Sequence, residues 1–415
     1  MKVWIFQTGE PLHIDQDSLR PMRAMNLADF LISNGHSVTI WSSCFFHQKK
    51  KFRSSKNTTV HVNPNLKYEL IMSPGYTSNV SIKRLWDHFI LSLNLKKALK
   101  KTADRPDVAF LGFPPMETTY VASRWLIKNQ IKYCVDIKDP WPTHLIEAFP
   151  SKLRAIVKLI FLPYFFITSY ALRNATSVAG ISKFFIDWAN NLASRRKSAN
   201  DFVLYLANRP VETSHEINFE NNMWAKTILG SKINETNFLF VGTLASAHFD
   251  FLPIIQCAKY FDENKYPVNF IICGDGEAYL NLKKECSSLK NVIFTGWVDY
   301  HKVVSLSVFS AAGLAPYVNN DTFKNTMSNK MLDYLSLKLP IISSINGECI
   351  QELSSERVAY IYSNKDELRD QLLLLHKNSN LLETTKRDAY KLFLENYSYT
   401  KVYGTALKHL KEISS

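Results

Sequence analysis

At 415 residues the chain is too long for one comfortable hydrophobic core and short for three, so two domains of similar size are expected. Hydrophobic residues at 46%, charged residues at 21% and only 13 glycines and 16 prolines exclude collagen-like, low-complexity and disordered classes. Fifty lysines and arginines against 37 acids leave a net charge of +13, which points to an anionic partner without choosing among nucleic acid, an acidic membrane and a phosphorylated small molecule.

The opening MKVWIFQTGEPLHID is too short in apolar residues for a signal-peptide core and reads as a first strand at 3–6. Met22, Met25, Leu27, Leu31 and Ile32 follow at helical spacing, with Gly35 where that helix stops. SVTIWSS supplies a second strand, and the basic stretch 47–56 reads as a solvated or lipid-facing loop. VHVN, YELIMS, a helical LWDHFILSLNLKKALKK, DVAFLGF and KYCVDIKD continue a rhythm of parallel strands joined by crossover helices. The most apolar stretch, 159–172, has 14 residues and contains Pro163; that is too short to span a bilayer, and a buried helix or an in-plane membrane-touching helix both fit. After TSVAGIS a linker is expected near 205–222. NFLFVGTL, VNFIICGDG, NVIFTGWV, FSAAGLAPY and LPIISS then form a second strand-helix series, and 383–415 reads as a closing helix. Cys44, Cys134, Cys257, Cys273, Cys286 and Cys349 form no CxxC pair and are expected as buried thiols in a reducing cytosol.

The most informative segment is 323–344. Ser328, Asn329 and Lys330 precede an amphipathic helix, and a helix start reinforced by a lysine attracts phosphate; an ordinary Ser-capped helix has the same pattern. Asp333, one turn in, is placed to accept hydrogen bonds from sugar hydroxyls. Gly242 and Thr243 end the first strand of the second half, and Gly274 and Asp275 belong to a strand-turn-helix that lacks the full GxGxxG spacing. In the first half, Gly9, Glu10, His13, Asp15, Asp17, Arg20 and Arg23 crowd the loop after the first strand, and Asp136 and Asp139 follow a later one; loops at the carboxyl ends of parallel strands bind ligands. Asp15 and Asp17 form a DxD, the metal-chelating pair of some sugar transferases, but it follows the first strand and has no apparent third ligand, so no metal is expected; Asp136 and Asp139 read equally as loop-capping carboxylates. No GxSxG, HExxH or Walker lysine loop occurs.

Together these blocks resemble a family 4 glycosyltransferase of the GT-B fold, of the bacterial surface-polysaccharide type. GEPLHID, RPMRAMNLADFL, SPGYTSNVSIKRLWDH and VDIKDPWP carry the likeness in the first half; VGTL, ICGDGE, FTGW and SNKMLDYLSLKLPII carry it in the second. The resemblance implies two Rossmann-like doubly wound domains facing across a cleft: an acceptor domain (1–205), a nucleotide-sugar domain (206–385) and a C-terminal helix (386–415) packing back toward the junction. It implies a retaining, metal-independent transfer from a nucleotide diphosphate sugar to a lipid-linked or polysaccharide acceptor in O-antigen, capsule or exopolysaccharide synthesis. The enzyme would be cytoplasmic, without a cofactor or nucleic acid partner, and peripheral on an acidic membrane. Lys330 and Asp139 become the catalytic candidates. Gly242, Thr243, Gly274, Asp275, Ser328, Asn329, Lys330 and Asp333 would bind the donor, and Gly9, Glu10, Arg20, Arg23 and Asp136 the acceptor. Asn325 stands where the family has the first glutamate of its E-x7-E pair, Ala245–His248 replace its basic residues, and GFPPMETTY lacks its histidine. The alternative is a catalytically silent scaffold of the same fold that binds a partner glycosyltransferase.

Overall fold

The computed structural model describes the whole chain except residues 16–20, 79–80, 148, 211–218 and 320, so Asp17 and Arg20 lie outside the described residues. The chain divides into two compact units, Met1–Tyr205 with Val402–Ser415, and Leu206–Lys401.

The first unit is built on a sheet of β1 (Lys2–Phe6), β2 (Ser37–Ser43), β5 (Thr58–Asn63), β6 (Leu66–Ile71), β7 (Val108–Phe113), β8 (Lys132–Ile137), β9 (Ser177–Gly180) and β10 (Phe202–Val203), in the order β10-β9-β8-β7-β1-β2-β6-β5. All pairings are parallel except β5 with β6. That pair turns antiparallel because Pro64 and Asn65 alone separate the strands, far too few residues for a crossover. The basic stretch 47–56 is more ordered than a loop: β4 (Lys51–Phe52) inside it pairs antiparallel with β3 (Phe45–Phe46) just before it. Among the described residues the helices α1 (Arg23–Ser33), α2 (Ile82–Lys101), α3 (Met116–Lys128), α4 (Thr143–Glu147), α5 (Arg154–Ile160), α6 (Leu162–Arg173) and α7 (Lys183–Ala193) serve this sheet. The helix Tyr399–Ser414 adds its later turns to the same unit, where Tyr403 meets the Phe30 ring at 6.4 Å and His409 stacks on Phe202 at 4.0 Å.

The second unit has a wholly parallel sheet of β11 (Thr236–Val241), β12 (Val268–Cys273), β13 (Val292–Gly296), β14 (Ala312–Ala315), β15 (Ile341–Ser343) and β16 (Ala359–Ile361), ordered β13-β12-β11-β14-β15-β16. Strands β12 and β14 are buried along their whole length, as expected where helices cover both faces. Phe238, Phe240, Phe261 and Phe270 anchor the core. In both sheets the strand order turns about an early strand, β1 or β11, so the loops after it open at a topological switch point. All six cysteines are free and buried.

Candidate functional site

In the second unit the carboxyl ends of β11 and β12 meet through two glycines. A Cβ on Gly274 would stand 1.9 Å from the Gly242 carbonyl oxygen, so the two loop backbones lie closer than any side chain permits. Leu244 N donates to Asp275 O at 2.9 Å and Ala278 N to Leu244 O at 3.0 Å, locking the pair. A Cβ on Gly242, whose φ is +154°, would fall 2.7 Å from Lys330 Nζ.

The helix Asn329–Ser336 brings that lysine. Its amphipathic pattern buries Met331, Leu332, Tyr334 and Leu335, and Ser328 caps it by accepting from Met331 N at 3.3 Å. The Tyr334 hydroxyl donates to Leu314 O at 2.9 Å and accepts from Val241 N at 3.1 Å, which pins the helix to the end of β11. Lys330 Nζ is buried without a hydrogen-bond partner among the described residues. Its neighbours are aromatic faces: Phe240 at 3.5 Å, Phe249 at 4.0 Å and Tyr317 at 5.9 Å from the ring centroids. Burial holds its amine well below the usual lysine range, and Asp333 pulls in the opposite direction. Asp333 accepts from Asn208 Nδ2 at 2.9 Å.

Two pockets share this spot. One, of about 320 Å³, is lined by Gly242, Thr243, His248, Phe249, Lys330 and Asp333, among others. The other, of about 190 Å³, is lined by Gly242, Thr243, Gly274, Asp275 and the 76% exposed Trp297. Six of the expected donor residues are therefore gathered at these walls. Ser328 and Asn329 are outside them: Ser328 is engaged by the Met331 amide and by the Tyr317 hydroxyl at 2.6 Å, and Asn329 is exposed. The helix start thus spends at least one amide on its own cap. Sequence reasoning missed Asn208, Phe249, Tyr300 and Trp297 as site residues. FTGW was the available signal for Trp297; Asn208 had none, since it reaches Asp333 from 125 residues away.

In the first unit the polar groups after the strands mostly engage one another. Arg23 forms a buried ion pair with Asp136 and donates to Leu204 O at 2.8 Å and Tyr205 O at 3.1 Å. Burial pushes the Asp136 carboxyl up, and Arg23 and Lys138 oppose this. Glu10 pairs with Lys138 and accepts from Ala24 N at 2.8 Å. Asp15, the described acid of the DxD, is held by Arg53 through both oxygens at 2.7 and 2.8 Å. Glu10, Arg23 and Asp136 are thus brought together as buried framework. Asp139 is exposed beyond β8, in a different unit from Lys330.

Gly9 does line a cavity, of about 60 Å³, with Thr8, His47, Tyr76, Arg84 and His88 around it. Burial, with Lys50 and Arg84 adding, lowers the His47 pKa to about 4. Burial likewise lowers that of His88 to about 3 and raises Glu117, 3.9 Å from His88 Nδ1, to about 7. Both histidines are therefore neutral donors or acceptors near neutral pH.

Two doubly wound, mainly parallel units, the second with pockets at the ends of its strands, define a two-domain α/β architecture. Residues 235–378 match the family described as glycosyl transferases group 1. No curated protein matches the sequence. Solved structures similar over the full length include Anabaena HepE in complex with UDP-glucose (12% identity, TM-score 0.62, covering 99% of this chain and 100% of that one). They include the E. coli trehalose-6-phosphate structure bound with UDP-2-fluoro glucose (12%, 0.67, 100% and 99%). A third is WaaG, a glycosyltransferase involved in lipopolysaccharide biosynthesis (13%, 0.61, 98% and 99%). The chain therefore has the two-domain GT-B fold.

Proposed function

We propose that the protein is a glycosyltransferase taking its sugar from a nucleotide diphosphate sugar bound in the second unit. One observation carries this reading: Lys330 Nζ is buried with no hydrogen-bond partner among the described residues, lies against aromatic faces and lines a pocket together with Gly242. A buried ammonium left without a hydrogen-bond acceptor is costly, and a pyrophosphate oxygen would complete it. The same charge would stabilise the departing nucleoside diphosphate. Asp333, oriented by Asn208, would hold a donor hydroxyl, and Trp297 offers an exposed aromatic surface at the rim. The match of residues 235–378 to group 1 glycosyl transferases, and the UDP-sugar complexes of similarly folded proteins, support the assignment.

The finer reading is a retaining, metal-independent transfer in which the leaving phosphate helps deprotonate the acceptor hydroxyl. The acceptor would be a lipid-linked or polysaccharide glycan of the cell surface, reached in the cytoplasm by a protein peripheral to an acidic membrane. Gly9 and its cavity, with Arg84 and the neutral His47, are the proposed acceptor contacts, while Glu10, Arg23 and Asp136 position the strand ends. Asp139, exposed, is retained as the candidate for contact with the reacting sugar.

Calorimetry with UDP-glucose as probe, run beside Lys330→Ala, tests the donor assignment. Binding by the native chain and its loss in the variant are expected; equal binding by both sinks it. A native chain that neither binds nor hydrolyses nucleotide sugar would favour the silent scaffold.

A further inference from the structure

On one side of the first unit α3 packs against both α2 and α6, and α5 leads into α6 through a 66° bend. These helices make a continuous layer whose outward side chains are of two kinds. The first is apolar. Ile82, Trp86, Phe89 and Leu93 are exposed at successive turns of α2, and Ile156, Leu159, Ile160, Leu162 and Phe166 around the α5–α6 bend are 57% to 71% exposed. The second is basic. The α2 stripe continues as Lys96 and Lys100, which with Arg105, Arg124 and Lys128 line a groove of about 380 Å³ against Tyr120 and Trp125. Lys152, Arg154 and Lys158 stand exposed among the apolar residues of α5.

The four helices expose no acid, although Glu147 at the end of α4 is exposed beside α5. Helices α2 and α3 hold one each, Asp87 and Glu117, both buried, and α5 and α6 hold none. No single helix among the described residues is long and apolar enough to cross a membrane. A broad apolar surface interleaved with lysine and arginine, whose four helices expose no carboxylate, matches the acyl boundary and phosphate layer of an anionic bilayer. We propose that the layer of α2, α3, α5 and α6 is a membrane-docking surface, with the α5–α6 elbow entering the headgroup boundary and the Lys96–Lys100–Arg124–Lys128 groove taking anionic lipid phosphates. This names the surface for the membrane association proposed above and rests on that association. The Tyr120–Tyr170 ring contact at 5.4 Å joins the groove to α6, so both elements meet the lipid as one face.

The full chain is pelleted with vesicles of phosphatidylcholine alone and of phosphatidylcholine mixed with phosphatidylglycerol. The native chain should pellet with the mixed vesicles only, and less at high salt. Ile156→Glu with Leu159→Glu, and separately Lys96→Glu with Lys100→Glu, should weaken that binding about tenfold or more, since each cation near the surface contributes on the order of 1 kcal/mol. All four side chains are exposed, so thermal unfolding and UDP-glucose affinity should be unchanged. No pelleting of the native chain with any vesicle overturns the association itself, and pelleting that survives both double variants overturns this surface alone. Equal binding to neutral vesicles overturns the anionic-lipid assignment. A dimer in sedimentation velocity that Ile156→Glu dissolves gives the face to a second copy and overturns the proposal.

Discussion

The carboxyl ends of the two sheets treat buried charge in opposite ways. After β1 and β8 the charges find each other: Arg23 meets Asp136, Lys138 meets Glu10, and Arg53 meets Asp15. After β11 and β12 the chain places glycines, and the cation that arrives there, Lys330, lies against ring faces with Asp333 nearby but no hydrogen-bonded partner among the described residues. A buried ion pair whose hydrogen bonds are satisfied holds loops in place, and removing one member leaves the other stranded. A buried cation without an acceptor costs stability in the free protein, and that cost is recovered only when an anion binds. The contrast teaches that the best marker of a ligand site here is an unmet need, while the densest cluster of charges is framework.

The largest effect that would break this contrast is on folding. Arg23→Ala strands the Asp136 carboxylate and is expected to lower unfolding free energy in urea by about 3–5 kcal/mol. Lys330→Met should do the reverse, leaving stability equal or higher while cutting sugar transfer about a hundred- to a thousandfold. If Lys330→Met destabilises as Arg23→Ala does, the two cations are equivalent and the argument fails.

Glu117→Gln sharpens the comparison within the first unit. The folded pKa is raised to about 7 from 4.5, so the stability contributed by its proton is present below 4.5 and lost as pH rises through 7. The variant should match the native chain near pH 4.5 and exceed it above pH 7 by roughly 3 kcal/mol in chemical unfolding. A pH-independent difference between the two proteins would refute the shift.

Proton linkage probes the second unit. A diphosphate beside Lys330 restores the charge that burial suppresses, so UDP-glucose binding should take up protons and weaken as pH rises through the depressed pKa of the free lysine. Calorimetry in buffers of different ionisation enthalpy reads the sign, and proton release would contradict it. The smallest effect is expected of Asn208→Ala, which removes the hydrogen bond to Asp333: about 1 kcal/mol, or roughly fivefold weaker donor binding.

Much of this was legible from local pattern. The buried strands at β1, β2, β7 and β12 are continuous apolar or β-branched runs ended by turn residues, and the helix after Ser328 shows its cap and its apolar spacing in one short stretch. Gly242 and Lys330 stood out because each sits where an element ends. The basic stretch 47–56 misled, because its charge suggested solvent while Arg53 is buried against Asp15, 38 residues earlier. The run 159–172 left a buried and a surface helix open; the bend at its start and the exposure of Leu159, Leu162 and Phe166 are properties of packing.

By itself, then, the sequence determined the parallel α/β plan, the element ends and the residues able to meet a phosphate, since periodicity and turn chemistry act over a few neighbours. Only the tertiary structure decided which charges are quenched and which is left waiting. Arg23 reaches Asp136 across 113 residues and Asn208 reaches Asp333 across 125, and no local pattern records partners that distant.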